Sequence, residues 1–119
     1  MTDSTSIVIF GASGDLSNRK LIPALYNLYL KGRLPGSFKI FGTAGRPWTD
    51  EDLRRVSREG LAKFSRTPVD ETTWNTFCQK LTYQPGDAAK PETYHELNAR
   101  LSAFEAGPAN RMYYLATPP

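Results

Sequence analysis

Residues 6–35 read SIVIFGASGDLSNRKLIPALYNLYLKGRLP. A short apolar run leads into a glycine-bracketed turn and then into a long stretch with helical patterning. Ile7 to Phe10 are β-branched or aromatic and uncharged, as expected of a strand buried on both faces of a parallel sheet. Gly11 and Gly14 bracket the turn, where the absence of a Cβ lets a ligand approach the backbone closely. A helix starting there presents unpaired N–H groups and its positive dipole end to whatever lies above the strand tip. A pyrophosphate is the usual occupant of such a place.

The glycines alone leave two readings open. The fingerprint G-x-G-x-x-G is not met, because Ser13 and Leu16 stand at its second and third glycine positions. An ordinary tight strand-to-helix turn would use the same two glycines. On the nucleotide reading, the backbone N–H groups of Ser13, Gly14, Asp15 and Leu16 are the phosphate donors. Ser13 adds a hydroxyl, and Ser17 and Asn18 reach the cofactor from the first helical turn. Asp15 is better placed as a helix cap than beside a phosphate, since like charges repel. Arg19 and Lys20 either meet phosphate or point to solvent.

Strands and helices alternate along the rest of the chain, as in an α/β fold with a parallel sheet. Strand one spans about 6–10. Helix one starts near Gly14, with Leu21, Leu25 and Leu28 on one face and Ile22, Tyr26 and Tyr29 beside them; Pro23 should kink it or remove one internal hydrogen bond. Gly32 ends the helix and Pro35 prevents its restart. Strand two spans 38–41, and 42–48 form a loop. Thr49 and the acids Asp50, Glu51 and Asp52 start a second helix to about Ser65, with Leu53, Val56, Leu61 and Phe64 inward. A further helix spans 68–79, with Trp74, Phe77 and Cys78 as its apolar side. Strand three spans 81–84. The last helix, 91–104, buries Tyr94, Leu97, Leu101 and Phe104; after a Gly107-Pro108 turn, strand four spans 110–116. Right-handed crossovers place the strands in the order 3-2-1-4, a Rossmann-like sheet with flanking helices.

The tip of strand two separates NAD from NADP binders. NAD enzymes place a carboxylate there for the ribose 2′-OH. Here Gly42 to Trp48 contain no acid before Asp50, and Arg46 is available to pair with a 2′-phosphate. An exposed loop arginine is the alternative reading.

The letters around the glycines go further. GASGDL followed by NRKLIPALYNLYLKGRLP, together with NRMYYLATPP at 110–119, resembles the N-terminal coenzyme-binding portion of glucose-6-phosphate dehydrogenases. The resemblance covers essentially the whole chain. It implies that Gly11, Ala12, Ser13, Gly14, Asp15, Leu16, Ser17, Asn18 and Arg46 hold NADP, with NAD as the other candidate. It also aligns Gly86 and Asp87 with the adenine side of the cofactor, and Thr117 to Pro119 with the exit towards the nicotinamide. Asp87 could equally be a turn or cap residue. Many members place the loop arginine where Gly45 stands here, one residue earlier than Arg46. The resemblance further implies that residues 1–119 are a domain fragment whose sheet is incomplete on the C-terminal side. The substrate-binding α+β domain for glucose 6-phosphate is then absent, and the full-length enzyme is a homo-oligomer. A non-catalytic nucleotide-binding module and another NADP-dependent oxidoreductase are the competing readings.

Composition sets limits. A chain of 119 residues makes one domain that buries roughly two-thirds of its unfolded surface. The net charge of +3 comes from fifteen basic and twelve acidic residues that are interleaved, as in RRVSREG, which argues for a solvated helix face over nucleic-acid binding. The single cysteine, Cys78, excludes an internal disulfide and a cysteine-based metal site, and suits a reducing cytoplasm. No segment has the apolar length of a membrane span, and residues 1–6 are not signal-like, so a soluble, cytoplasmic protein is expected. His95 is the only histidine. It lies off the buried stripe of the last helix, as a surface residue rather than a general base. No residue in the chain is placed to take a proton from a sugar hydroxyl.

Overall fold

In the computed structural model the described residues are 4–14, 17–34, 37–64, 68–86, 90–105 and 109–115. Four parallel strands, β1 (Ser4–Phe10), β2 (Phe38–Ala44), β3 (Leu81–Pro85) and β4 (Ala109–Leu115), form one sheet in the order β3-β2-β1-β4. This is the expected Rossmann-like arrangement. In register, Ile7 lies beside Ile40 on one flank and Met112 on the other, and Ile40 lies beside Leu81. The helices are α1 (Ile22–Leu30), α2 (Asp50–Phe64), α3 (Glu71–Cys78) and α4 (Pro91–Glu105).

Alternation along the central strands divides the core between the two faces of the sheet. Ile7, Ile9, Ile40, Leu81 and Tyr83 pack on one side with Ile22, Leu25, Tyr26, Leu53, Leu61, Trp74 and Phe77 of α1, α2 and α3. Val8 and Phe41 meet Leu97 and Leu101 of α4 on the other. Tyr26 and Phe77 meet edge-on, 5.2 Å between ring centroids, at the centre of the larger cluster. The outer strand is different. Met112, Tyr113 and Leu115 of β4 are exposed.

Several boundaries move. Helical winding begins with a π-helical turn at Ser17–Leu21, and Pro23 falls in the first turn of α1 rather than kinking its interior. A proline is tolerated there because a first-turn N–H has no partner in the helix. α1 ends as Gly32 suggests. Its φ of +67° lets Gly32 N–H reach the Tyr29 carbonyl (3.0 Å) and Arg33 N–H reach that of Leu28 (2.9 Å). β2 does not stop at Phe41 but runs on through Gly42, Thr43 and Ala44, because it is paired on both edges, to β1 and to β3. α3 starts at Glu71, not Pro68, where the Asp70 carboxylate accepts the Thr73 N–H at 2.9 Å. Thr49 starts α2 as expected, exchanging hydrogen bonds with Asp52.

Two buried stripes also shift. α2 buries Leu53, Ser57, Gly60 and Leu61, leaving Phe64 36% exposed. α4 buries Thr93, Leu97 and Leu101, leaving Tyr94 46% exposed. In both helices small residues take buried positions, which periodicity of large apolar residues cannot reveal. The expectations for Pro35, Ser65, the Gly107-Pro108 turn and Ala116 lie outside the described residues.

Candidate functional site

The C-terminal ends of β1, β2 and β3 lie at one edge of the sheet, where ligands of open α/β sheets bind. Gly11 turns the chain out of β1 with φ +83°, a left-handed conformation that a Cβ disfavours. The Thr43 carbonyl accepts from both Gly11 N–H (2.9 Å) and Ala12 N–H (3.2 Å), pinning the turn to β2. Thr43 in turn donates its hydroxyl to the Gln84 carbonyl at 2.8 Å, so β3 is tied in as well. Ala12 is buried against Gly42, which has no side chain to keep it away.

This bonding revises the expected donor set. Gly14 N–H points back to the Gly11 carbonyl at 3.0 Å and closes the turn, so it is not open to a phosphate in this conformation. Gly11 and Ala12 act as architecture. The Ser13 N–H has no backbone acceptor among the described residues. Asp15 and Leu16 lie outside the described residues.

Ser17 and Asn18 turn inward. Ser17 is fully buried, and its hydroxyl has no hydrogen-bond partner among the described residues. Asn18 lies against Gly60 of α2, where an added Cβ would come within 2.3 Å of Asn18 Oδ1. The π-helical turn packs on α2, so side chains expected to point upward are directed sideways into that contact. Arg19 sits over the Phe64 ring, 5.4 Å from its centroid, and Lys20 is exposed.

Arg46 projects from the exposed loop after β2 and makes no ion pair among the described residues. Its guanidinium lies 6.0 Å from the centroid of the Trp48 ring. Gly45 has open space where a side chain would stand. Gly86 N–H donates to the Ala44 carbonyl at 2.9 Å, and its α-carbon packs against Thr93 so tightly that a Cβ would lie 2.7 Å from that side chain. Gly86 and Arg46 therefore flank the same strand tip. Asp87 and Thr117 to Pro119 lie outside the described residues.

The residue that joins these parts is Tyr83, which sequence reasoning treated only as part of strand three. Its ring is buried and packs against Trp48, 5.8 Å between centroids. Its hydroxyl donates to the Arg46 carbonyl at 2.8 Å, with the Ala44 carbonyl at 3.2 Å. Burial pushes the phenol above its ordinary value, opposed by a hydrogen bond from Ser13 and by the charge of Arg46. A tyrosine at an alternating inward position was the available signal, since a buried phenol needs a polar partner.

His95 is exposed on α4, and no group of His, Cys, Asp and Glu able to hold a metal exists among the described residues. Nor is any described helix long and apolar enough to cross a membrane.

The family model for the glucose-6-phosphate dehydrogenase NAD-binding domain matches residues 8–119. The chain belongs to that family. It is 39% identical over 116 residues to glucose-6-phosphate 1-dehydrogenase of Bacillus subtilis, covering 95% of this chain and 23% of that one. The chloroplastic enzyme of Nicotiana tabacum is 37% identical over 118 residues, covering 98% and 20%. Among solved structures, a glucose-6-phosphate dehydrogenase in complex with its substrate glucose 6-phosphate superposes with TM-score 0.85 at 38% identity, covering 98% of this chain and 25% of the other. The Mycobacterium avium enzyme gives 0.83 at 29%, covering 97% and 24%. The chain thus spans about a quarter of the length of these relatives. As a glucose-6-phosphate dehydrogenase NAD-binding domain, it carries a site for a nicotinamide dinucleotide.

Proposed function

We propose that this domain binds NADP in preference to NAD, as the coenzyme-binding part of an enzyme that oxidises glucose 6-phosphate to 6-phosphogluconolactone. When bound, the nicotinamide supplies the hydride acceptor. The observation that carries the reading is Arg46, an exposed guanidinium at the tip of β2 that makes no ion pair among the described residues, with no carboxylate before Asp50. The donor set suits the group: a glycine turn with a positive φ, an amide at Ser13 without a backbone acceptor among the described residues, and a cation across the edge. Ser13, with Asp15 and Leu16, is proposed to meet the pyrophosphate, Arg46 the 2′-phosphate, and Gly86 with Asp87 the adenine side.

The sugar is proposed to bind to the part of the relatives' length that this chain does not span, and the whole enzyme to act as a homo-oligomer in the cytoplasm, in the oxidative pentose phosphate pathway. Neither nucleic acid nor a membrane is a proposed partner. The interleaved charge supports the first of these statements.

Arg46→Ala tests the reading. NADP affinity should fall about tenfold or more, since 1.4 kcal/mol is a factor of ten and a charge-assisted contact contributes about that or more. NAD affinity should stay nearly unchanged. Equal losses for both cofactors by titration calorimetry would remove the assignment.

A further inference from the structure

One phenol grips the loop after β2. Tyr83 Oη donates to the Arg46 carbonyl in that loop. Its own backbone belongs to β3 and is held on both sides. Tyr83 N–H donates to Asp50 Oδ1 at 2.7 Å, and its carbonyl accepts from Arg100 at 3.0 Å. The phenol has one proton, and the shorter contact, 2.8 Å to Arg46, takes most of it. The Arg46 carbonyl also accepts from Trp48 N–H at 2.9 Å, so both of its lone pairs are engaged.

The loop has little else to hold it. Gly45, Arg46 and Pro47 are exposed, and nothing approaches within 4 Å of the Gly45 side-chain position. A long exposed arginine loses rotamer freedom when it binds a phosphate, and a backbone that also moved would add to that loss. A buried ring that grips the loop by the carbonyl of the arginine itself removes the second part beforehand.

We propose that Tyr83 is a positioning residue for coenzyme choice, its hydroxyl fixing the backbone from which Arg46 reaches the 2′-phosphate. The inference rests on the reading of Arg46 given above. Tyr83 then acts on coenzyme choice through Arg46, without touching the cofactor.

The test is Tyr83→Phe in the full chain, which keeps the ring and its packing on Trp48 and removes only the hydroxyl. NADP affinity should fall about fivefold, the worth of one net hydrogen bond, with NAD affinity unchanged. In an Arg46→Ala background Tyr83→Phe should have no further effect on NADP, a coupling that a generally structural role would not produce. Equal losses for NAD, or the same loss in the Arg46→Ala background, would overturn the proposal.

Amide hydrogen exchange at Trp48 tests the grip without any cofactor. Exchange should quicken about fivefold in Tyr83→Phe, and unchanged protection would overturn the proposal. If Arg46→Ala fails to discriminate between cofactors, the 2′-phosphate reading falls by itself, while Trp48 exchange still decides whether Tyr83 holds the loop. A Tyr83→Phe chain that loses its circular-dichroism signal would show the hydroxyl to be a requirement for folding, and would overturn the positioning role.

Discussion

Gly42→Val should destabilise the domain by about 3 kcal/mol or more, the upper range for forcing extra atoms into a packed core. A Cβ on Gly42 would lie 2.7 Å from the Ala12 Cβ and 3.2 Å from Leu53 Cδ2. Ala12 cannot swing away, because its Cβ is fixed to backbone that bonds Thr43. The turn itself must move. Local preference points the opposite way, since valine suits a central strand better than glycine by about 1 kcal/mol. The sign of the effect therefore separates the two explanations. Thermal and urea unfolding should show the loss, with weakened binding of both NAD and NADP because the displaced turn is the proposed phosphate site. A variant as stable as the parent would refute the close approach.

Glu105→Gln should cost about 2–3 kcal/mol and flatten the acid limb of the stability profile. The Glu105 side chain is only 7% exposed and accepts two hydrogen bonds from Arg111 and one from Ser6, all at 2.8 Å. This network ties the end of α4 to β1 and β4. Breaking a fully buried pair costs about 3–5 kcal/mol, and the lower figure follows because Arg111 remains 30% exposed and can rehydrate. The hydrogen bonds from Arg111 hold the Glu105 carboxyl below the usual glutamate range, with Ser6 adding to the effect. A carboxylate depressed in the folded state stabilises fully above its unfolded value of about 4.3 and progressively less as pH falls through the folded value. The parent chain should lose stability over that acid window, and Glu105→Gln should lose less of it. Parallel pH profiles for the two chains would remove Glu105 from the account.

The order of the elements and the sheet were legible in the residues themselves. Buried β-branched runs, Thr49 with its following acids, and Gly32 at the end of α1 each act through local geometry. Local geometry is what a sequence states directly. The amphipathic helices were legible too, except where a small residue took a buried position: Gly60 and Ser57 on α2, Thr93 on α4. There the stripe drawn through the large residues went astray to Phe64 and Tyr94.

The candidate site divides along the same line. The glycine turn and Arg46 belong to contiguous motifs and were identified from them. Which amides remain open, and where Ser17 and Asn18 point, depend on partners far along the chain. Thr43 occupies the amides of Gly11 and Ala12, and Gly60 makes the space that Asn18 fills. Tyr83 is the clearest case. By itself the sequence determined a parallel α/β domain with a glycine turn and an arginine at the next strand tip, because propensity, capping and backbone freedom are local. Only the tertiary structure decided that one buried phenol holds the loop that carries the arginine, because a hydrogen bond between residues 37 positions apart exists only once β2 and β3 have paired.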